Sequence, residues 1–240
     1  MTIFRQSVFI PTVVSSAANI ATFANAAAGK LTLNGSIVSS VTGQVSFINS
    51  GYASGLSFTS GANISAASFT IVGICNGLII TETIAGPNIN TVYTNNLFHT
   101  IISISVNAVI ANAFTIGSNY NIAVVLTDGN SKMGKSHSNY NYNILLNSIT
   151  AGGQWAAGSA MIYGVASISP TLLQASTLVN ANKPSNYFAL PISGAAPVAI
   201  SQLQLNNGFA VQSTYPFAAI IVYLSAGINT TPVFIEISQS

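Results

Sequence analysis

The sequence predicts an all-β chain: two antiparallel β-sandwich domains, jelly-roll or immunoglobulin-like in order, with few short helices. Three observations carry this. First, short runs rich in Val, Ile, Thr and Phe alternate with Gly, Ser and Asn clusters at the roughly 8–12-residue spacing that sandwiches and small barrels produce. Second, Asn76-Gly77 separates two such runs, Ser68–Cys75 and Leu78–Ile84. Asn-Gly is the strongest short-range hairpin signal, because a type I′ turn needs positive φ at both central residues. Third, Asp128, Lys132, Lys135 and His137 cluster beside Gly129 and Gly134. That composition marks a surface connection, and it divides the chain into domains 1–127 and 139–240 around a linker at 128–138.

Taken in order, Ser7–Ser15 is a first strand that Pro11 confines to an edge or a bulge. Ala17–Gly29 is the best helix candidate of the first half, from its alanines and from the Gly29-Lys30 stop; a small-residue loop is the alternative. Leu31–Val38 and Gln44–Ile48 follow as strands. Ser68–Cys75, Leu78–Ile84, Leu97–Val106 and Ala113–Ser118 supply four more, with a short fifth at Thr91–Thr94. A turn is expected at Ala85-Gly86-Pro87-Asn88, where Gly and Pro punctuate the pattern. Ile122–Thr127 closes the first half. Beyond the linker the strands are Tyr140–Leu146, Ala160–Ser167, Ser185–Leu190, Val198–Leu205, Phe209–Thr214, Ala218–Leu224 and Pro232–Ser238, and Thr171–Asn180 is the one helical turn.

Charge is the unusual quantity. Five Lys or Arg and three Asp or Glu make up 3% of the 240 residues, with a net charge of +2, against about 25% in ordinary soluble domains. Half the residues are hydrophobic, enough for a real core. A polar but uncharged surface fits a subunit covered by copies of itself or by partners, since interface cores are depleted of charge. An isolated globular protein with a Ser/Thr/Asn-rich face fits the same numbers. Five dispersed cations cannot neutralise a row of phosphates, so no nucleic-acid partner is expected. Polar residues break every apolar run well short of about 18 residues, so no transmembrane helix and no membrane partner is expected. No signal peptide is expected either, because the apolar run after Gln6 is short and interrupted by Pro11. The single cysteine, Cys75, excludes an internal disulfide and reads as a buried small hydrophobe.

No catalytic signature is present. Paired carboxylates for glycoside hydrolysis would have to come from Glu82, Asp128 and Glu236, and Glu82 and Glu236 read as outward-facing strand residues. A Ser-His-Asp triad would need His99 or His137 with Asp128, and no Gly-x-Ser-x-Gly elbow accompanies them. Two histidines and three acids make an incomplete metal set. There is no phosphate-binding loop and no dinucleotide fingerprint. The chain is therefore expected to be no enzyme, with no catalytic, metal or cofactor residues and no cofactor. The second half is rich in tyrosine and holds the single Trp155. Tyr140, Tyr142, Trp155 and Tyr187 are the candidates for a glycan-binding or interface face, with core or strand-edge packing as the alternative.

One segment carries a resemblance. Ile71-Val-Gly-Ile-Cys-Asn-Gly-Leu-Ile-Ile-Thr-Glu-Thr-Ile-Ala-Gly-Pro-Asn, then Val92-Tyr-Thr-Asn-Asn-Leu-Phe-His-Thr-Ile-Ile-Ser-Ile-Ser-Val, then Phe114-Thr-Ile-Gly, resembles a stretch common in virion proteins of tailed bacteriophages. There a strand and a short glycine turn lead to Thr-Glu-Thr, Gly-Pro and a Ser/Ile strand. The likeness spans residues 71–117, and departs at the tip, where the looser Asp-x-Asn-Gly of many relatives is Cys75-Asn76-Gly77. It implies a non-enzymatic virion structural subunit, a capsid-decorating or minor head protein. The alternative is a tail-associated adhesin that binds host glycans through exposed aromatics. It implies as partners other virion proteins, such as the major capsid protein, and localisation in a virion assembled in the cytoplasm of a bacterial host. Self-association follows from the scarcity of charged edge guards, and the resemblance favours a trimer.

Overall fold

The structure, a computed structural model, describes residues 4–10, 16–47, 52–126, 140–148, 154–156, 159–165, 187–189, 203–204, 208–213, 219–225, 228–229 and 233–239. Its first ten strands are β1 (Phe4–Ile10), β2 (Ser16–Phe23), β3 (Gly29–Lys30), β4 (Val45–Ser46), β5 (Ala53–Thr59), β6 (Ser68–Cys75), β7 (Leu78–Ala85), β8 (Thr91–Tyr93), β9 (Thr100–Val106) and β10 (Phe114–Leu126). The remaining nine are β11 (Tyr140–Ser148), β12 (Gln154–Ala156), β13 (Ser159–Val165), β14 (Tyr187–Ala189), β15 (Leu203–Gln204), β16 (Gly208–Ser213), β17 (Ala219–Ser225), β18 (Ile228–Asn229) and β19 (Val233–Gln239). Among the described residues there is no helix, and every strand pair is antiparallel. The chain is all-β.

Four sheets result. A four-stranded sheet runs β1-β19-β11-β16, and a three-stranded one runs β15-β12-β18. A seven-stranded sheet runs β14-β13-β17-β10-β5-β8, with β2 also on β10. A five-stranded sheet runs β3-β9-β6-β7, with β4 also on β9. The 13-residue β10 is the spine of the largest. It joins what the sequence suggests are two strands, Ala113–Ser118 and Ile122–Thr127. One flank is occupied by β5 from Thr115 to Ala123. The other is shared: β2 takes Phe114 to Ser118, and β17 takes Ile122 to Leu126. Hydrogen-bonded pairs thus cross the expected linker, from β10 to β17 and from β1 to β19. The linker itself, 128–138, lies outside the described residues, as does the helical turn expected at Thr171–Asn180.

The helix expected at Ala17–Gly29 is corrected to strand β2. Alanine's helical advantage is at most about 0.7 kcal/mol per residue over ordinary residues, and the uncharged segment has no i,i+4 ion pairs to add to it. Pairing with β10 supplies backbone partners instead and buries Ile20 and Ala21 completely. At the register shift between Ile116 and Ser118, Asn19 fills the gap. Its Oδ1 accepts from Ser118 N at 2.8 Å, and its Nδ2 donates to Ser118 Oγ at 2.7 Å.

The far edge of β2 is sealed by the segment after β3. Asn34 brackets Thr22, its Oδ1 accepting from Thr22 N at 2.9 Å and its Nδ2 donating to Thr22 O at 3.1 Å. Gly35 N donates to Ile20 O at 2.8 Å and Ile37 N to Asn19 O at 3.1 Å. A Cβ at Gly35 would collide with the Asn19 carbonyl, so glycine is what permits this approach. The segment Leu31–Val38 is therefore not the expected strand: its side-chain and turn contacts cover β2, with one isolated bridge from Val38 to Val45.

The seven- and five-stranded sheets share one core. Phe58 on β5 and Phe114 on β10 belong to the first, and Phe69 on β6 to the second. Phe69 meets Phe58 at 4.9 Å and Phe114 at 5.4 Å between ring centroids, both tilted, while Phe23 stacks on Phe114 at 4.9 Å. Phe58 and Phe69 are fully buried and Phe114 is nearly so. Around them Ile20, Leu56, Ile71, Ile101, Ile104, Ile116 and Val222 complete the packing.

Phe69→Ala is expected to lower stability by about 3–5 kcal/mol, the usual cost of emptying a buried aromatic site. Urea denaturation followed by tryptophan-independent circular dichroism checks it. A loss below about 1 kcal/mol, the scale of a surface substitution, would show that Phe69 does not pin the two sheets.

Candidate functional site

The densest polar geometry among the described residues surrounds the β6–β7 hairpin. The strands pair without a register shift from Ser68↔Ala85 to Cys75↔Leu78. Asn76 (φ 48°) and Gly77 (φ 76°) form the two-residue connection. Asparagine tolerates the left-handed region and glycine occupies it freely, so this dipeptide meets the turn's demand. Asn76 N donates to His99 Nδ1 at 3.2 Å. The His99 backbone holds the tip as well, its N donating to Ile74 O at 2.8 Å and its O accepting from Phe47 N at 2.7 Å. At the strand's other end Gly86 N donates to Ala67 O at 2.8 Å, and Pro87 O accepts from Ile64 N at 2.9 Å. Gly86 and Pro87 are both buried. A Cβ at Gly86 would collide with the Ile64 carbonyl, so the close approach requires glycine there.

Burial holds the His99 imidazole below its ordinary pKa of 6.5. The accepting Nδ1 agrees with a neutral ring whose proton sits on Nε2.

Glu82 is the sole acid before Asp128. The expectation of an outward-facing glutamate is corrected: it alternates with Ile80 and Ile84 on the half-buried side of β7. Its carboxylate accepts Asn95 N at 2.6 Å and Asn96 N and Nδ2 at 2.9 Å each. With few cations in the chain, neutral donors take the role of a counter-ion. The Asn95-Asn96 bend leads from β8, an edge of the seven-stranded sheet, into β9 of the five-stranded one. Glu82 therefore ties two sheet edges together. Thr94 continues the tie: its Oγ1 accepts from Leu56 N at 2.9 Å and donates to Asn96 O at 3.0 Å.

The four aromatic candidates do not fall on one sheet. Tyr140 and Tyr142 lie on β11 of the four-stranded sheet, opposite Ser213 and Val211. Trp155 lies on β12 of the three-stranded sheet, opposite Leu203 and Asn229. Tyr187 lies on β14, an edge of the seven-stranded sheet, opposite Val165. Tyr223 is in the core, and burial pushes its phenol up to about 12. Sequence reasoning missed Tyr93, which stands 58% exposed on the edge strand β8. Its signal was weak, a lone aromatic in a three-residue strand.

Nothing described assembles the acids or histidines for chemistry. Glu82 and Glu236 belong to different sheets, and Asp128 and His137 lie outside the described residues. Cys75 is fully buried. Among the described residues no three His, Cys, Asp or Glu side chains gather as metal ligands. What the hairpin geometry does is hold backbone: the carboxylate fixes one bend, and the imidazole fixes one turn.

Glu82→Gln leaves one acceptor oxygen and an amide donor facing three donors. A loss of about 1–3 kcal/mol is expected, the cost of unmaking charge-assisted bonds at a partly buried site. An unchanged urea midpoint would show that the carboxylate is dispensable. For His99 the sign runs from its lowered folded pKa: the contribution is fully present above the unfolded value of 6.5 and is lost as pH falls through the folded value. The urea midpoint should thus decline as pH drops below 6.5, and His99→Gln should flatten that decline. An equal pH slope in the variant would remove His99 from the account.

No protein-family model and no curated protein matches the chain.

Proposed function

We propose that the chain is a non-enzymatic structural subunit of a bacteriophage particle, a capsid-decorating or minor head protein that self-associates and packs on other virion proteins. The observation that carries the proposal is a β-rich chain of which only 3% of the residues are charged, so that its surface is polar but nearly uncharged. Such a surface gains little solubility from self-repulsion and suits permanent cover by neighbours. The resemblance of residues 71–117 supplies the particle. The carboxylate and imidazole described above are engaged in holding backbone, which suits a scaffold role. We further infer sandwich packing of jelly-roll or immunoglobulin-like order, two such domains in all, supported by the core shared between the seven- and five-stranded sheets, to which β17 of the second half contributes Val222.

The alternative is a tail-tip adhesin that binds host glycans. Tyr93 favours it specifically, as an exposed aromatic on an edge strand beyond which no described strand lies, because sugars stack on accessible rings.

Fractionation of intact particles into heads and tails, followed by detection of the chain, tests both. The decoration proposal expects it in the head fraction. Recovery in tails alone, with glycan binding lost in Tyr93→Ala, would replace it with the adhesin, and absence from both fractions would end the virion proposal.

A further inference from the structure

Resting on the self-association proposed above, we propose that the outer edge of β7 pairs antiparallel with the same edge of a second copy of this chain, about a twofold axis at Thr81. β7 is the terminal strand of the five-stranded sheet, and no described strand occupies its far side. It is eight residues long and pairs with β6 without a register shift. It carries no lysine, no proline and no bulge, and no described residue covers it; its one charged side chain, Glu82, is turned to the half-buried face and held by Asn95 and Asn96. The contrast with β2 is direct, because there Asn34, Gly35 and Ile37 seal the free edge.

Backbone parity fixes which groups are offered. Gly86 N donates to Ala67 O, so residues of even number along this strand turn their backbone groups toward β6, and alternation turns those of Ile79, Thr81 and Thr83 outward. Two symmetric registers of maximal overlap use that parity. One centres on residue 82 and sets Glu82 directly opposite its own copy, in the close type of pair where like charges repel. The other centres on Thr81, faces Ile79 with Thr83 of the second copy, and sets Glu82 opposite Ile80 of the second copy. The carboxylate therefore selects the Thr81 register. Three outward pairs then exchange about six backbone hydrogen bonds.

The occupant follows from charge. The outward-facing row of Ile79, Thr81 and Thr83 is exposed and uncharged, and Ile79 is 71% exposed. Glu82, the one charge on the strand, is already satisfied by Asn95 and Asn96. A charged partner would find no complementary charge on this edge, whereas a second β7 edge is equally uncharged and has its own Ile79 to cover. A single edge contact is smaller than the roughly 1,600 Å² of a standard interface, so micromolar association is expected.

The test uses the full chain. Native mass spectrometry at micromolar concentration should give a two-copy mass. Thr81→Lys and Thr81→Glu each place like charges on the axis and should each give one copy, with an unchanged circular dichroism spectrum. An equimolar mixture of the two should restore a two-copy mass with one of each. In the unaltered protein, amide exchange at Ile79, Thr81 and Thr83 should slow as concentration rises, while Ile80 and Glu82 stay constant; this readout does not depend on any variant folding. A one-copy mass for the unaltered chain, or two-copy masses for both variants, would overturn the edge pairing. So would a trimer, which would leave the self-associating subunit standing. The particle fractionation decides the virion assignment separately.

Discussion

The contact on which the first half depends is Phe69 held between Phe58 and Phe114. Two sheets can face each other in many ways, since apolar burial has no direction of its own. Tilted rings at 4.9 and 5.4 Å fix both spacing and offset, because the aromatic quadrupole disfavours a flat sandwich. Phe23 on Phe114 then sets β2 against the same point. The hairpin, the Glu82 tie and the bend at Asn95-Asn96 all lie on strands whose relative position this cluster determines.

A second theme is the substitution of neutral groups for charges. Elsewhere a lone carboxylate would be met by lysine or arginine; here two backbone amides and the Asn96 side chain meet it. Asparagine amides also complete an irregular ladder at Ser118 and bracket a strand edge at Thr22. Threonine pairs add to this, at Thr59–Thr91 and Thr70–Thr83. Such bonds depend on geometry at contact distance, and salt screens them far less than it screens ion pairs. A protein held together this way keeps its shape across wide changes of ionic strength.

The hairpin was legible because its information is local: the dipeptide, its φ values and its flanking strands fall within one short stretch. β2 was not, because its partner lies about 95 residues downstream and composition favours the wrong state. Leu31–Val38 alternates like a strand, yet the Asn34 side chain and the backbone amides of Gly35 and Ile37 cap the edge of β2 instead. The Glu82 tie was hidden for a related reason. Alternation gives the face a residue occupies, but not what the opposing sheet presents there. The place of Tyr223 was hidden because a count of tyrosines does not reveal burial, and this one lies inside the core.

The shared flank of β10 has a consequence for synthesis. Its first half is flanked by strands that precede it in the chain, and its second half waits for β17. About 90 residues separate the two strands, so at ribosomal rates the second half of that flank stays bare for roughly 5–20 s. Ile122 through Leu126 is an apolar template through that interval. Crowded production of many copies thus sets a race between a chain's own late strand and its neighbour's early one. The winner decides whether nascent chains mature singly or become entangled.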